Sequence, residues 1–185
     1  MNNQYFPNEE GKLEYILQIY SMDMKVKALW VQNAYEEYSN LMSSGEFNVL
    51  LAFRKATEII NHSMAIVRMV EEAGFVKDPR ERAKMRERIM LINNRWEVPK
   101  PPKKLRAIRN SLEHFEQKMD EWVTSSRELH VIDFNIGELS TGTGSIANVN
   151  YFRNIDGYNF YFRRKPVNLT EIYNWSKEVS MCLQK

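Results

Sequence analysis

Histidine and cysteine are scarce in this chain, with three and one among 185 residues. His62, His114 and His130 are widely separated and Cys182 stands alone, so no clustered zinc-ligand spacing exists and no internal disulfide can form. A reducing cytoplasm is the expected setting. No charged-then-apolar leader opens the sequence, and no apolar run approaches the roughly 20 residues of a membrane span. The expectation is a soluble, cytoplasmic protein without a membrane partner, in which the triplets Asn61-His-Ser and Asn168-Leu-Thr carry no glycosylation meaning. There is no serine nucleophile elbow and no pair of carboxylates that stands out as a metal-nuclease centre. The glycine-bearing run Ser140-Thr-Gly142-Thr-Gly144-Ser145 lacks the lysine and the following helix of a phosphate-cradling loop. Neither a metal nor an organic cofactor is expected.

Charge of one sign is also short overall. A net charge of +2 is too small for a general electrostatic binder of nucleic acid, but the average hides a local excess. Between Lys77 and Arg109 lysine and arginine outnumber Asp78, Glu81, Glu87 and Glu97. Arg95, Lys100, Lys103, Lys104 and Arg106 close that stretch and are the candidate phosphate contacts, because such contacts supply most sequence-independent affinity for nucleic acid. A solvated helix and a basic linker would have the same composition.

With 43% hydrophobic residues, the chain can bury one substantial core. Two thirds of it has helical periodicity. After a polar opening to Gly11, an apolar face begins at Leu13, Ile16, Leu17 and Tyr20 and resumes at Leu29, Trp30, Ala34, Tyr38 and Leu41, ending at Ser43-Ser44-Gly45. A second helix is predicted from about Phe47 to Ala73, with Leu50, Phe53, Ala56, Thr57, Ile60, Met64 and Val67 inward and Gly74 as its stop. Asp78-Pro79 forms an N-cap and first-turn proline for a third helix lasting to about Trp96. Pro99, Pro101 and Pro102 then impose an extended connector.

After Ser126 the period shortens. Leu129–Phe134, Asn148–Phe152 and Tyr158–Phe162 have strand composition, with Asn154-Ile-Asp156-Gly157 as a turn-prone tetrad, which predicts a small antiparallel sheet. A closing helix starts at about Asn168, where Asn168 and Glu171 suit a capping box, and carries Ile172, Trp175, Val179 and Cys182. The expected organisation is a helical bundle over 1–126 followed by a β element and closing helix over 127–185, packed together. The aromatic strand Tyr158–Phe162 has surfaces that stack on bases in some folds, although alternating aromatics also serve as half core and half surface.

The connector leads into Leu105–Trp122. At about 100° per residue, Leu105, Ile108, Leu112, Phe115, Met119 and Trp122 share one face, which is core. Asn110 and His114 lie roughly 130–170° from the centre of that stripe, with Arg109 nearer its margin. Arg109 and Glu113, four apart, are placed for an ordinary surface ion pair. The run Arg109-Asn110-Ser111-Leu112-Glu113-His114, late in a helical chain, resembles the arginine, four to six residues, histidine motif of the HEPN superfamily. That superfamily consists of helical domains and includes RNA-cleaving toxins. The motif has the family's shortest spacing and a usual asparagine after the arginine.

The resemblance implies a mainly α, HEPN-like bundle and metal-independent cleavage of RNA, with Arg109, Asn110 and His114 as catalytic residues. Histidine would manage proton transfer, arginine would stabilise charge on the phosphate, and asparagine would orient the histidine or donate to phosphate. It further implies a homodimer in which two motifs meet, and allows an antitoxin protein as another partner. Two alternatives stay open: a non-catalytic HEPN-like module that binds a partner, nucleotide or RNA, and a structural helical protein carrying the motif by chance.

Overall fold

The computed structural model describes residues 9–44, 48–72, 76–125, 131–137, 150–162 and 165–184. The chain is mainly helical, with a small sheet and a closing C-terminal helix. Helix α1 spans Glu9–Ser43, α2 Val49–Val70, α3 Pro79–Trp96, α4 Leu105–Glu113, α5 Phe115–Ser125 and α6 Leu169–Cys182. Strands β1 (Val131–Ile132) and β3 (Asn150–Tyr151) form a short parallel pair. Strands β2 (Asn135–Ile136), β4 (Arg153–Asp156), β5 (Asn159–Phe162) and β6 (Lys165–Asn168) form the main sheet in the order β2-β4-β5-β6. No helix among the described residues is long and apolar enough to cross a membrane.

Local signals set the helix starts. The Asn48 side chain accepts from Leu51 N at 3.0 Å, Asp78 from Arg80 N at 2.7 Å, and Asn168 from Glu171 N at 3.0 Å. Each satisfies an orphan donor of a first turn. Helix α2 buries Phe53, Ala56, Ile60, Met64 and Val67 as its periodicity predicts, but Leu50, in its first turn, is 68% exposed. Phe47, Ala73 and Gly74, at its expected ends, lie outside the described residues.

The long first helix departs further from expectation. Leu17, Ala34 and Tyr38 are buried, but Leu13, Ile16, Leu29 and Trp30 are exposed, and the inward stripe is completed by Met24, Ala28 and Val31. Apolar residues occupy two opposite faces of α1, and only one meets α2 and α6. Helix α6 returns to the bundle: Gln32 donates to the Ser180 hydroxyl at 3.1 Å, and the Tyr35 and Thr170 hydroxyls are 2.8 Å apart.

The sheet is antiparallel over β4, β5 and β6, with β2 added in parallel beside β4. The turn falls at Gly157-Tyr158, later than expected, and Asn154 and Ile155 belong to β4. Asn154 is fully buried; its amide donates to the Gly137 carbonyl at 3.1 Å and its oxygen accepts from Asn135. A buried, satisfied asparagine overrides its turn preference here. Gly157, at φ 53°, supplies the positive φ required at the first position of a two-residue hairpin. Strand β6 contains Pro166 and lies at the sheet edge, where a missing donor is tolerated. The Leu129 and Asn148 ends of the expected strands and the 140–145 run fall outside the described residues.

One core links the layers. Phe53 of α2 meets Phe160 at 6.1 Å between ring centres, and α4 lies against β5 and β6. Ile108, Phe152, Ile155 and Phe160 are all within 1% of full burial, each worth about 1.5–3 kcal/mol relative to an exposed side chain.

The expected helix from Leu105 to Trp122 is broken at His114, whose φ of −108° and ψ of 36° separate α4 from α5. Leu105 and Ile108 are buried, whereas Leu112, Phe115 and Met119 are half-buried at the edge of the core. Phe115 packs on the sheet, 5.7 Å from the Phe152 ring and 6.2 Å from Phe162, and not beneath the first two helices. The break costs few backbone bonds, since His114 N donates to Asn110 O at 3.2 Å and Lys118 N donates to His114 O at 3.0 Å. The side chain of Trp122 lies outside the described residues.

Candidate nucleic-acid interface

Helix α4 starts abruptly. Lys104, at φ 72°, turns the chain out of the proline connector, and Leu105 and Ile108 then anchor the helix to the core. That anchoring leaves Asn110 and His114 exposed and Arg109 on the margin, with 14% of its side chain accessible. The polar face inferred from the helical wheel is a solvent face. His114 sits where α4 ends, and its neighbour Phe115 is pinned by the Arg153 guanidinium 4.6 Å from the ring centre. Arg153 also lies 3.9 Å over Phe134 and forms an ion pair with Asp133.

Two arginines share one carboxylate beside the motif. Glu113 accepts from Arg109, as the four-residue spacing predicts, and from Arg68 of α2 at 3.5 Å. Burial and then the nearby Arg68 charge push the Arg109 guanidinium down from its ordinary value, although arginine remains charged throughout the working range. Nothing in the sequence pointed to Arg68 or Arg153, because both reach the region from elements distant in the chain.

The expected phosphate contacts divide into two groups. Arg106 is engaged by Glu71 at 2.6 Å and Arg95 by Glu14 of α1 at 3.3 Å; within the same basic stretch Lys84 pairs with Glu81 and Arg86 with Glu72. Lys100, Lys103 and Lys104 are exposed and have no ion pair among the described residues. They lie in the connector and at the start of α4, so the free positive charge is at the opposite end of α4 from His114. Arg95 is not brought into the Arg68–Arg109–Glu113 cluster.

No protein-family model, curated protein or solved structure matches the chain. The likeness to HEPN domains rests on Arg109–His114 and their helical setting.

The other histidines are elsewhere. His62 is half-buried with its ring centre 5.0 Å from that of Trp30, in a cleft of about 400 Å³ that also contains Glu37, Lys55 and Glu58. Burial and then Lys27 lower its pKa from the ordinary histidine value. Lys55 bridges Glu37 at 2.6 Å and Glu58 at 2.9 Å. His130 lies outside the described residues. Among the described residues no group of three or more histidine, cysteine or acidic side chains is arranged to hold a metal ion.

Proposed function

We propose that the chain is a metal-independent endoribonuclease of HEPN type, acting as a homodimer at the face formed by Arg109, Asn110 and His114. The observation that carries this is the exposure of Asn110 and His114 together at the end of α4, one turn apart, next to a half-buried arginine. In such a site an RNA 2′-oxygen attacks the adjacent phosphorus and the bond from phosphorus to the 5′-oxygen breaks. The products are a 2′,3′-cyclic phosphate and a 5′-hydroxyl. Imidazole is the side chain suited to taking the 2′-hydroxyl proton or delivering one to the leaving oxygen near neutral pH. His114 fills that role, with the same residue of a second copy available for the complementary transfer. Arg109 stabilises charge on the phosphate in the transition state, and Asn110 orients His114 or donates to phosphate. Lys100, Lys103 and Lys104 hold the strand electrostatically.

A second proposal is favoured by the ion pairs. Arg109 and Arg106 are both engaged by carboxylates, as suits a non-catalytic module whose polar face binds a partner or RNA without cutting it. The discriminating experiment incubates the chain with RNA in EDTA and analyses the fragment ends. The nuclease yields cyclic-phosphate ends, and Arg109→Ala and His114→Ala each lose about 10²–10⁴-fold in rate while keeping the wild-type fold by circular dichroism. Activity that survives His114→Ala, or that vanishes with chelator, refutes the mechanism. RNA binding without cleavage selects the non-catalytic module.

A further inference from the structure

We infer that the cleft between α1 and α3 is a binding site for an amphipathic anion, a free carboxylate on an unbranched apolar chain. The site contains no residue of α4 and does not depend on the proposed nuclease function.

The cleft has a volume of about 580 Å³, within the ordinary range of small-molecule sites. Leu13, Ile16, Leu17 and Tyr20, which share one face of α1, form one wall, and Met85 and Leu91 of α3 form the other. Helix α1 meets α3 far less than it meets α2, so the space between these walls is left open. Leu17 and Met85 are buried, whereas Leu13 and Ile16 remain 39% and 47% exposed. From Leu13 to Tyr20 the wall runs about 10 Å, which fits an extended chain of roughly eight to ten carbons.

Arg88 selects the headgroup. It lines the cleft half-buried, its guanidinium 5.5 Å from the Tyr20 ring centre, and Nη2 donates to the Arg68 carbonyl at 3.0 Å. Nε is buried with no partner, and among the described residues no carboxylate forms an ion pair with Arg88. Buried polar groups are ordinarily satisfied and buried charges paired, so the fold leaves this cation short of its counter-ion. The other charges of the lining do not supply it. Glu81 is held by Lys84 at 2.9 Å, and Arg68 is 3.5 Å from Glu113. Glu87 precedes Arg88 by one residue and projects about 100° away around α3, and such neighbours do not face each other. A carboxylate accepts charge-assisted hydrogen bonds from a guanidinium, while its chain lies between Leu17 and Met85. An apolar ligand alone would leave Arg88 unpaired, and a small anion alone would leave the apolar walls wet.

The test titrates the full chain with sodium decanoate by isothermal calorimetry, with hexanoate and decanol beside it. Decanoate should bind at one site per chain, about tenfold or more tighter than hexanoate because its extra methylenes are buried. It should exceed decanol, which lacks the charge, by a similar factor. Arg88→Met and Ile16→Asp should each weaken decanoate binding by about tenfold or more, with unchanged circular dichroism. If Arg88→Met fails to fold, Ile16→Asp, at a solvent-reached position, decides. Met22→Glu, 70% exposed and outside the cleft, should bind decanoate as wild type does. No binding of decanoate, equal binding of decanol, or binding that survives the cleft variants overturns the inference. An equal loss in Met22→Glu also overturns it, by placing the ligand on the outer face of α1. Co-sedimentation with phosphatidylcholine vesicles containing phosphatidic acid, without binding of decanoate, would assign the cleft to a lipid surface and overturn the free carboxylate.

Discussion

Replacing Glu113 by glutamine removes the carboxylate that Arg68 and Arg109 share and keeps its shape. The side chains are 40%, 49% and 14% exposed respectively, so solvent screens much of the attraction and the stability cost should be about 1 kcal/mol or less. The larger effect falls on binding. Two guanidiniums released from Glu113 become available to RNA phosphates, and a hydrogen bond to a charged group contributes about 1.5–3 kcal/mol. After the remaining screening, affinity should rise by roughly tenfold. Each arginine that gains a phosphate should also steepen the salt dependence of binding by about 0.7 in the log–log slope for a single strand. Filter binding of a short single-stranded RNA at several salt concentrations, with urea melts beside it, measures both quantities. An affinity that stays the same or falls, with an unchanged slope and an intact fold, refutes the assignment of this cluster to RNA.

Ile108→Ala should cost about 2–5 kcal/mol in urea denaturation, because Ile108 is fully buried between α4 and the sheet; Leu50→Ala, at 68% exposure, should stay within about 0.5 kcal/mol. Asn154→Ala should destabilise by about 1–3 kcal/mol by leaving the Asn135 amide and the Gly137 carbonyl without their buried partner. His62 has a pKa lowered from 6.5, so over the interval between the two values the unfolded chain binds more protons than the folded one. Its contribution is therefore present above pH 6.5 and is lost as pH falls toward the lowered value. His62→Asn should flatten that part of the stability profile, and an unchanged acid slope would count against the burial of this ring.

Much of the bundle was legible because its signals are local. Asp78-Pro79 and Asn168 each provide a cap whose chemistry acts within three residues, and α3 and α6 begin where those caps predict. The inward face of α1 was legible only in part. The expected face joined the buried Leu17, Ala34 and Tyr38 to the exposed Leu13, Ile16, Leu29 and Trp30, because apolar residues lie on more than one side of this helix and only its packing against α2 and α6 chooses among them. The break at His114 escaped for a related reason. Its stripe is continuous in sequence, and nothing in the periodicity from Leu105 to Met119 marks the turn at His114. The exposure of Asn110 and His114 was readable from the wheel, as was the Arg109–Glu113 pair, whereas the approach of Arg68 depends on how α2 and α4 pack.

The tie between α1 and the C-terminal third governs when the molecule can fold during synthesis. Tyr38 donates to the Gly157 carbonyl at 2.6 Å, Tyr35 meets Thr170, and Gln32 meets Ser180, across separations of 119, 135 and 148 residues. At a translation rate of ~5–20 residues per second, α1 waits on the order of ten seconds for the partners that complete its inward face. Until α2 emerges it presents apolar residues on both sides, and the part of the inward face that α6 covers stays open for the whole interval. The nascent chain is therefore most vulnerable at its beginning, before α2 covers most of that face, and a delay imposed before α2 emerges should raise the aggregated fraction more than the same delay between α2 and α6.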